Sequence, residues 1–197
     1  MIEVEKKFIL TKDQEEKLTE GADFLGENVN IDLGYDDADF SLTTKDIWLR
    51  RRNGKFELKI PLNATRESRI SDQYEEIDDE DAILKYFGAK NASLEDFLQE
   101  KKYQSLFTIV TTRRKYKKGG FNIDLDQMDF GYNVAEIEKM IENKEDIQKT
   151  TNEIILFAKD HGINTTQNIY GKAIEYFRRH SPKHFQALVT AKIVWPI

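Results

Sequence analysis

Glu3, Glu5 and Lys7 occupy every second position near the start of the chain. In a β-strand the side-chain period is two, so these three project from one face while Ile2, Val4 and Phe8 take the other. Two carboxylates beside an amine on a rigid strand can hold a divalent cation and touch a phosphate. Taken alone, the pattern also describes an ordinary solvated strand face, but it recurs along the chain. Trp48, Arg50 and Arg52 share a face opposite Ile47 and Leu49, and Glu57 and Lys59 share one opposite Phe56, Leu58 and Ile60. Asp124 and Asp126 alternate with Ile123 and Leu125; Glu136 and Glu138 alternate with Ile137, and Val134 extends their face. If the aliphatic faces pack on helices, the charged faces line a curled sheet. Such a water-filled channel suits a metal-bound polyanion.

The elements that would position these residues follow from period and turn chemistry. Strands are expected over 1–10, 24–36, 46–52 and 55–60, the last two joined by Asn53-Gly54, with Gly34 marking a bulge or bend. Pro61 is expected to stop pairing. Residues 70–77 alternate again, placing Ile70, Asp72, Tyr74 and Glu76 on one face. Further strands are expected over 105–115, 121–126 and 132–141, with a Gly119-Gly120 turn between the first two. Helical spacing covers 12–20, 79–100, 143–160, 168–180 and about 183–191. An antiparallel sheet with added helices, an α+β protein, is implied.

Composition narrows the classes. The 197 residues suit one domain spanning 1–197, and the net charge of −6 argues against broad nucleic-acid or membrane binding. No cysteine is present, which removes disulfides and thiolate metal sites. No apolar run reaches transmembrane length, and the N-terminus lacks a signal core, so a cytoplasmic address is expected. Asp129-Phe130-Gly131 copies a kinase tripeptide without the kinase's other loops, and Asp124 to Asp129 fails the EF-hand spacing.

Several strings occur together in a fixed order: Glu3-Val4-Glu5-Lys6-Lys7, Trp48-Leu49-Arg50-Arg51-Arg52, Glu57-Leu58-Lys59, Asp124-Leu125-Asp126 with Asp129-Phe130-Gly131-Tyr132, and Glu136-Ile137-Glu138. In this order they resemble the CYTH family, or triphosphate tunnel metalloenzymes. That family joins class IV adenylyl cyclases, tripolyphosphatases and thiamine triphosphatases; the strings are most similar to the animal-type thiamine triphosphatases. The resemblance implies a closed eight-stranded antiparallel β-barrel, a triphosphate tunnel, with flanking helices and a helical C-terminal segment from about 143 that closes it. It implies that Lys7, Arg50, Arg52, Lys59, Arg113 and Lys172 bind phosphate, with Trp48 stacking on an organic group. Glu3, Glu5, Glu76, Asp124, Glu136 and Glu138 would form the acidic, metal-binding set, with Glu5, Asp124 and Glu138 as direct ligands. Glu5, Lys59 and Glu138 are the catalytic candidates. Where the family carries Tyr-Tyr-Asp, this chain has Gly34-Tyr35-Asp36; Arg114 would point outward.

Those six cations and six carboxylates cancel, leaving a near-neutral tunnel. Two divalent ions would then match a triphosphate's charge, so metal and triphosphate should bind cooperatively. Carboxylate oxygens favour Mg²⁺, with Mn²⁺ as the alternative. The implied function is metal-dependent hydrolysis of a small-molecule triphosphate, thiamine triphosphate first and inorganic tripolyphosphate second, by a monomer without nucleic-acid or membrane partners. A non-catalytic polyphosphate or nucleotide binder is the reading from a different class.

Overall fold

The computed structural model describes residues 2–62, 72–90 and 93–195. Eight strands are present: β1 (Ile2–Phe8), β2 (Asp23–Asp36), β3 (Trp48–Arg52), β4 (Lys55–Pro61), β5 (Asp72–Ile77), β6 (Gln104–Lys118), β7 (Phe121–Met128) and β8 (Tyr132–Ile141). All neighbours are antiparallel, and the sheet closes on itself in the order β1-β5-β4-β3-β2-β6-β7-β8. The expected eight-stranded barrel is therefore the fold. The first strand closes it, with Glu5 opposite Asp72 on one side and opposite Glu138 on the other.

Among the described residues six α-helices flank the barrel: α1 (Lys12–Thr19), α2 (Glu80–Tyr86), α3 (Leu94–Lys101), α4 (Ile147–Asp160), α5 (Lys172–His180) and α6 (Pro182–Thr190). Local chemistry starts them. Thr11 and Gln14 form a capping box on α1, the Asp79 carboxylate accepts from Ala82 N on α2, and the Ser93 hydroxyl accepts from Asp96 N on α3. Pro182 opens α6.

The apolar core lies outside the barrel wall. Val4, Phe8, Ile123 and Ile137 pack against Leu18 of α1 and Ile154 and Ala158 of α4. On the other side Leu49, Phe56 and Leu58 pack against Ile83 and Leu84 of α2 and Leu94 and Phe97 of α3. A third cluster joins α5 and α6 through Ile174, Phe177 and Leu188, with Trp48 and Phe107 at its edge. Helices covering the outer faces are what free the inner faces for charge.

Three expectations are corrected. Pro61 does not stop pairing: it stands opposite Tyr74, and Leu62 N donates to Gln73 O at 3.2 Å. The β3–β4 ladder already ends at Trp48–Lys59, so the missing proline N–H costs no bond there. The helical run over 79–100 is two helices, because Gly88 takes φ 63° and its N–H turns back to Lys85 O. The helix expected from 168 starts at Lys172. Gly34 does coincide with a register shift, between Gly34 and Tyr35. Ile70 lies outside the described residues.

Candidate active site

Inside the barrel is a cavity of about 550 Å³. Strand alternation delivers Glu3, Glu5 and Lys7 to it from β1, Trp48, Arg50 and Arg52 from β3, Lys59 from β4 and Glu76 from β5. Arg113 comes from β6 and Glu136 and Glu138 from β8, while α5 contributes Lys172. Of the charged-face residues singled out from sequence, Asp124 and Asp126 are outside the lining; both bond Arg113, and Asp124 is fully buried.

Glu3, Glu5 and Glu138 converge, each with a carboxylate oxygen within 4.8 Å of the others. Glu5 and Glu138 are cross-strand partners, which forces like charges together. Burial pushes Glu5 up to about 7, against the pull of the Lys7 ammonium. Burial pushes Glu138 up to about 8, and the Glu3 and Asp124 carboxylates add to it. Burial also works to raise Glu3, but Lys59, 2.6 Å away, outweighs it and holds that carboxyl below its usual range. Three crowded hard-oxygen ligands of which two resist ionisation fit a divalent cation such as Mg²⁺ or Mn²⁺: its charge would relieve the repulsion. Asp124, Glu76 and Glu136 stand apart from this trio, and each binds a cation.

The cations are each held by acids. Lys7 Nζ lies 2.5 Å from Glu5 and 2.6 Å from Asp72; Lys59 Nζ lies 2.6 Å from Glu3 and 2.7 Å from Glu76. Arg50 bonds Glu57 through Nε at 2.7 Å. Arg113 donates twice to Asp126, at 2.6 Å each, to Glu136 at 2.7 Å and to Asp124. Such pairing keeps Glu136 well below the carboxylate range despite its burial, with Arg113 the strongest counterweight. Arg114 points outward to Glu15, as expected.

Sequence reasoning missed two lining acids, Asp32 and Asp78, of which Asp32 is built into the charge network. Asp32 of β2 is 1% exposed; it accepts from Arg52 Nε at 2.7 Å and Nη2 at 3.1 Å and lies 2.9 Å from Lys172 Nζ. Glu57 and Asp72 were legible as lying on charged faces but not as partners of particular cations. The neutral tally is corrected accordingly: nine carboxylates and seven cations line the cavity. Because burial keeps Glu5 and Glu138 partly protonated near pH 7, the lining still approaches neutrality there.

One end of the cavity is apolar, lined by Trp48, Leu106, Phe107, Ile174 and Phe177. Trp48 Nε1 donates to Asp46 Oδ1 at 2.8 Å, and the same oxygen accepts from the Tyr74 hydroxyl at 2.8 Å, which fixes the indole. Phe107 faces Gly34 across β2–β6. A Cβ on Gly34 would come within 2.2 Å of that ring, so the phenyl fills the space a side chain at 34 would need.

Comparison with known proteins adds to this geometry. A sequence profile of the CYTH domain matches residues 1–170. A thiamine-triphosphatase of Macaca fascicularis is 29% identical, covering 96% of this chain and 90% of its own length. A solved structure from Vibrio parahaemolyticus, described as a proposed adenylate cyclase, superposes with a TM-score of 0.61 at 16% identity, covering 90% of this chain and 98% of that one. A Hippeastrum protein, a proposed adenylyl cyclase described as having a dominant triphosphatase activity, gives 0.56 at 19% identity over 90% of this chain and 95% of that one.

Proposed function

The chain belongs to the CYTH domain family, and from that premise we propose that it is a metal-dependent triphosphatase that removes the terminal phosphate of thiamine triphosphate. The observation that carries this reading is a single cavity holding a carboxylate trio, an array of cations and an aromatic end. Lys7, Arg50, Arg52, Lys59, Arg113 and Lys172 hold the phosphate oxygens and neutralise the charge that spreads over them in the transition state. Glu3, Glu5 and Glu138 hold Mg²⁺, or Mn²⁺ in its place. That ion supplies Lewis-acid neutralisation of phosphate charge. Catalysis by this chain is then positioning: the cations fix the triphosphate and a carboxylate of the tunnel orients the attacking water. The relatives named above include a thiamine-triphosphatase, and the aromatic end with its fixed Trp48 supports an organic group on the substrate. Inorganic tripolyphosphate is the second reading, because every cation contact is common to both.

The test is phosphate release with Mg²⁺, comparing kcat/KM for thiamine triphosphate, tripolyphosphate and ATP. Preference for thiamine triphosphate is expected. Preference for tripolyphosphate would transfer the reading to an inorganic triphosphatase, and no release from any of the three would leave a binding module.

A further inference from the structure

Arg50, Arg52 and Lys172 bring three positive charges from β3 and α5 toward one region of the cavity, where they repel one another. Asp32 stands between them. Its Oδ1 accepts from Arg52 Nε and lies 4.0 Å from Arg50 Nε, and its Oδ2 lies 2.9 Å from Lys172 Nζ. We propose that Asp32 is the positioning residue of the phosphate site, pinning the lysine of the C-terminal helix to the arginines of β3 and keeping it charged. This rests on the triphosphatase reading above.

The geometry of the lysine contact matters. Nζ is buried, and the carboxylates that reach it are Asp32 at 2.9 Å and Asp126 at 3.8 Å. An ammonium has three rotatable donors, so one carboxylate contact leaves others for a phosphate. The groups facing Lys172 are Asp32 on β2, Arg52 on β3, Arg113 on β6, Asp126 on β7 and Glu136 on β8, with Lys7 of β1 beside Gly171. Burial pulls the ammonium down to about 8, Asp32 is the largest opposing influence, and Arg52 acts with burial. Asp32 itself is held far below the carboxylate range and stays ionised throughout neutral and alkaline conditions. Removing its charge while keeping its shape should therefore let Lys172 lose its proton earlier.

The experiment measures affinity for inorganic tripolyphosphate without metal, by calorimetry from about pH 6.5 to 9.5, alongside kcat/KM with Mg²⁺. In the wild type, binding should weaken above about pH 8. In Asp32→Asn that limb should move down by about one unit, so the loss at pH 8 exceeds the loss at pH 6.5 by roughly fourfold. Ionisation of the ligand itself is common to all variants. A profile parallel to the wild type, merely lower, would overturn the proposal. Ionisation of Glu5 and Glu138 contributes to the limb in every variant, so the profiles are compared with wild type: Lys172→Arg, whose guanidinium keeps its proton, should flatten the limb, and a limb as steep as wild type in it overturns the proposal even if Asp32→Asn does not fold. Wild-type protein that binds tripolyphosphate but releases no phosphate would sink the triphosphatase reading and leave this inference standing.

Discussion

Replacing Arg113 with methionine should destabilise the fold by about 3–5 kcal/mol, the usual cost of removing one partner from a buried ion cluster. Arg113 answers three carboxylates, Asp124, Asp126 and Glu136, which are 0%, 3% and 6% exposed. Methionine fills part of the volume but supplies neither charge nor donors. The stranded acids must then protonate or draw water into the wall. Against a total stability of about 5–15 kcal/mol the loss is large. At about 2–4 °C per kcal/mol for a chain of this size, the melting temperature should fall by roughly 6–20 °C. Urea unfolding followed by circular dichroism at neutral pH measures it directly. Adding Asp126→Asn should recover about 1 kcal/mol or more, since one of the stranded charges disappears. A loss below about 1 kcal/mol, or strictly additive costs in the double variant, would refute the claim that Arg113 neutralises this part of the wall.

Mg²⁺ at about a hundred times its Kd should stabilise the wild type by about 2.7 kcal/mol, and Glu138→Gln should erase the resulting rise in melting temperature along with activity; an undiminished rise would remove Glu138 from the metal site. Trp48→Ala should lower kcat/KM for thiamine triphosphate by about 5- to 100-fold, the value of one aromatic stack, and change tripolyphosphate by about twofold or less. Equal losses on both substrates would make the indole simple packing. His184, stacked between Phe40 and Phe177 and bonded to Thr43, is pulled down by burial to about 4 from an ordinary 6.5. The unfolded chain therefore binds this proton more readily, so stability is complete above about pH 6.5 and declines as pH falls toward 4. Denaturant curves should show His184→Gln losing up to about 2.5 kcal/mol less than wild type between about pH 7 and 4.5, and parallel losses would contradict the assignment.

What could be read from the residues depended on what covers each strand. On β3, β4, β7 and β8 the outward residues are mostly apolar because α2, α3 and α4 or the neighbouring core cover them, so the charged set stood out by contrast. β2 breaks that rule. Its outward Val29 and Ile31 are 54% and 44% exposed, while Asn30 and Asp32 face inward, so its apolar side gave no guide to burial and Asp32 was hidden among amides. Pairing was also illegible. Alternation assigns Lys7 to a face, but its bond to Asp72 requires the β1–β5 register across a long stretch of chain. Residues 79–100 kept helical spacing through Gly88, and a turn that preserves the apolar phase leaves no trace in that spacing.

The position of β1 between β5 and β8 has a kinetic consequence. Glu5 and Glu138 meet across roughly 130 residues of chain, a separation typical of high-contact-order, slowly folding topologies. Until β1 inserts, β5 and β8 present open edges able to recruit another chain's strand. The carboxylate trio draws two members from β1 and one from β8, so it comes into being only when those two strands pair. Ligand affinity and the β1–β8 seam are then linked, and an ion that binds the trio stabilises that seam.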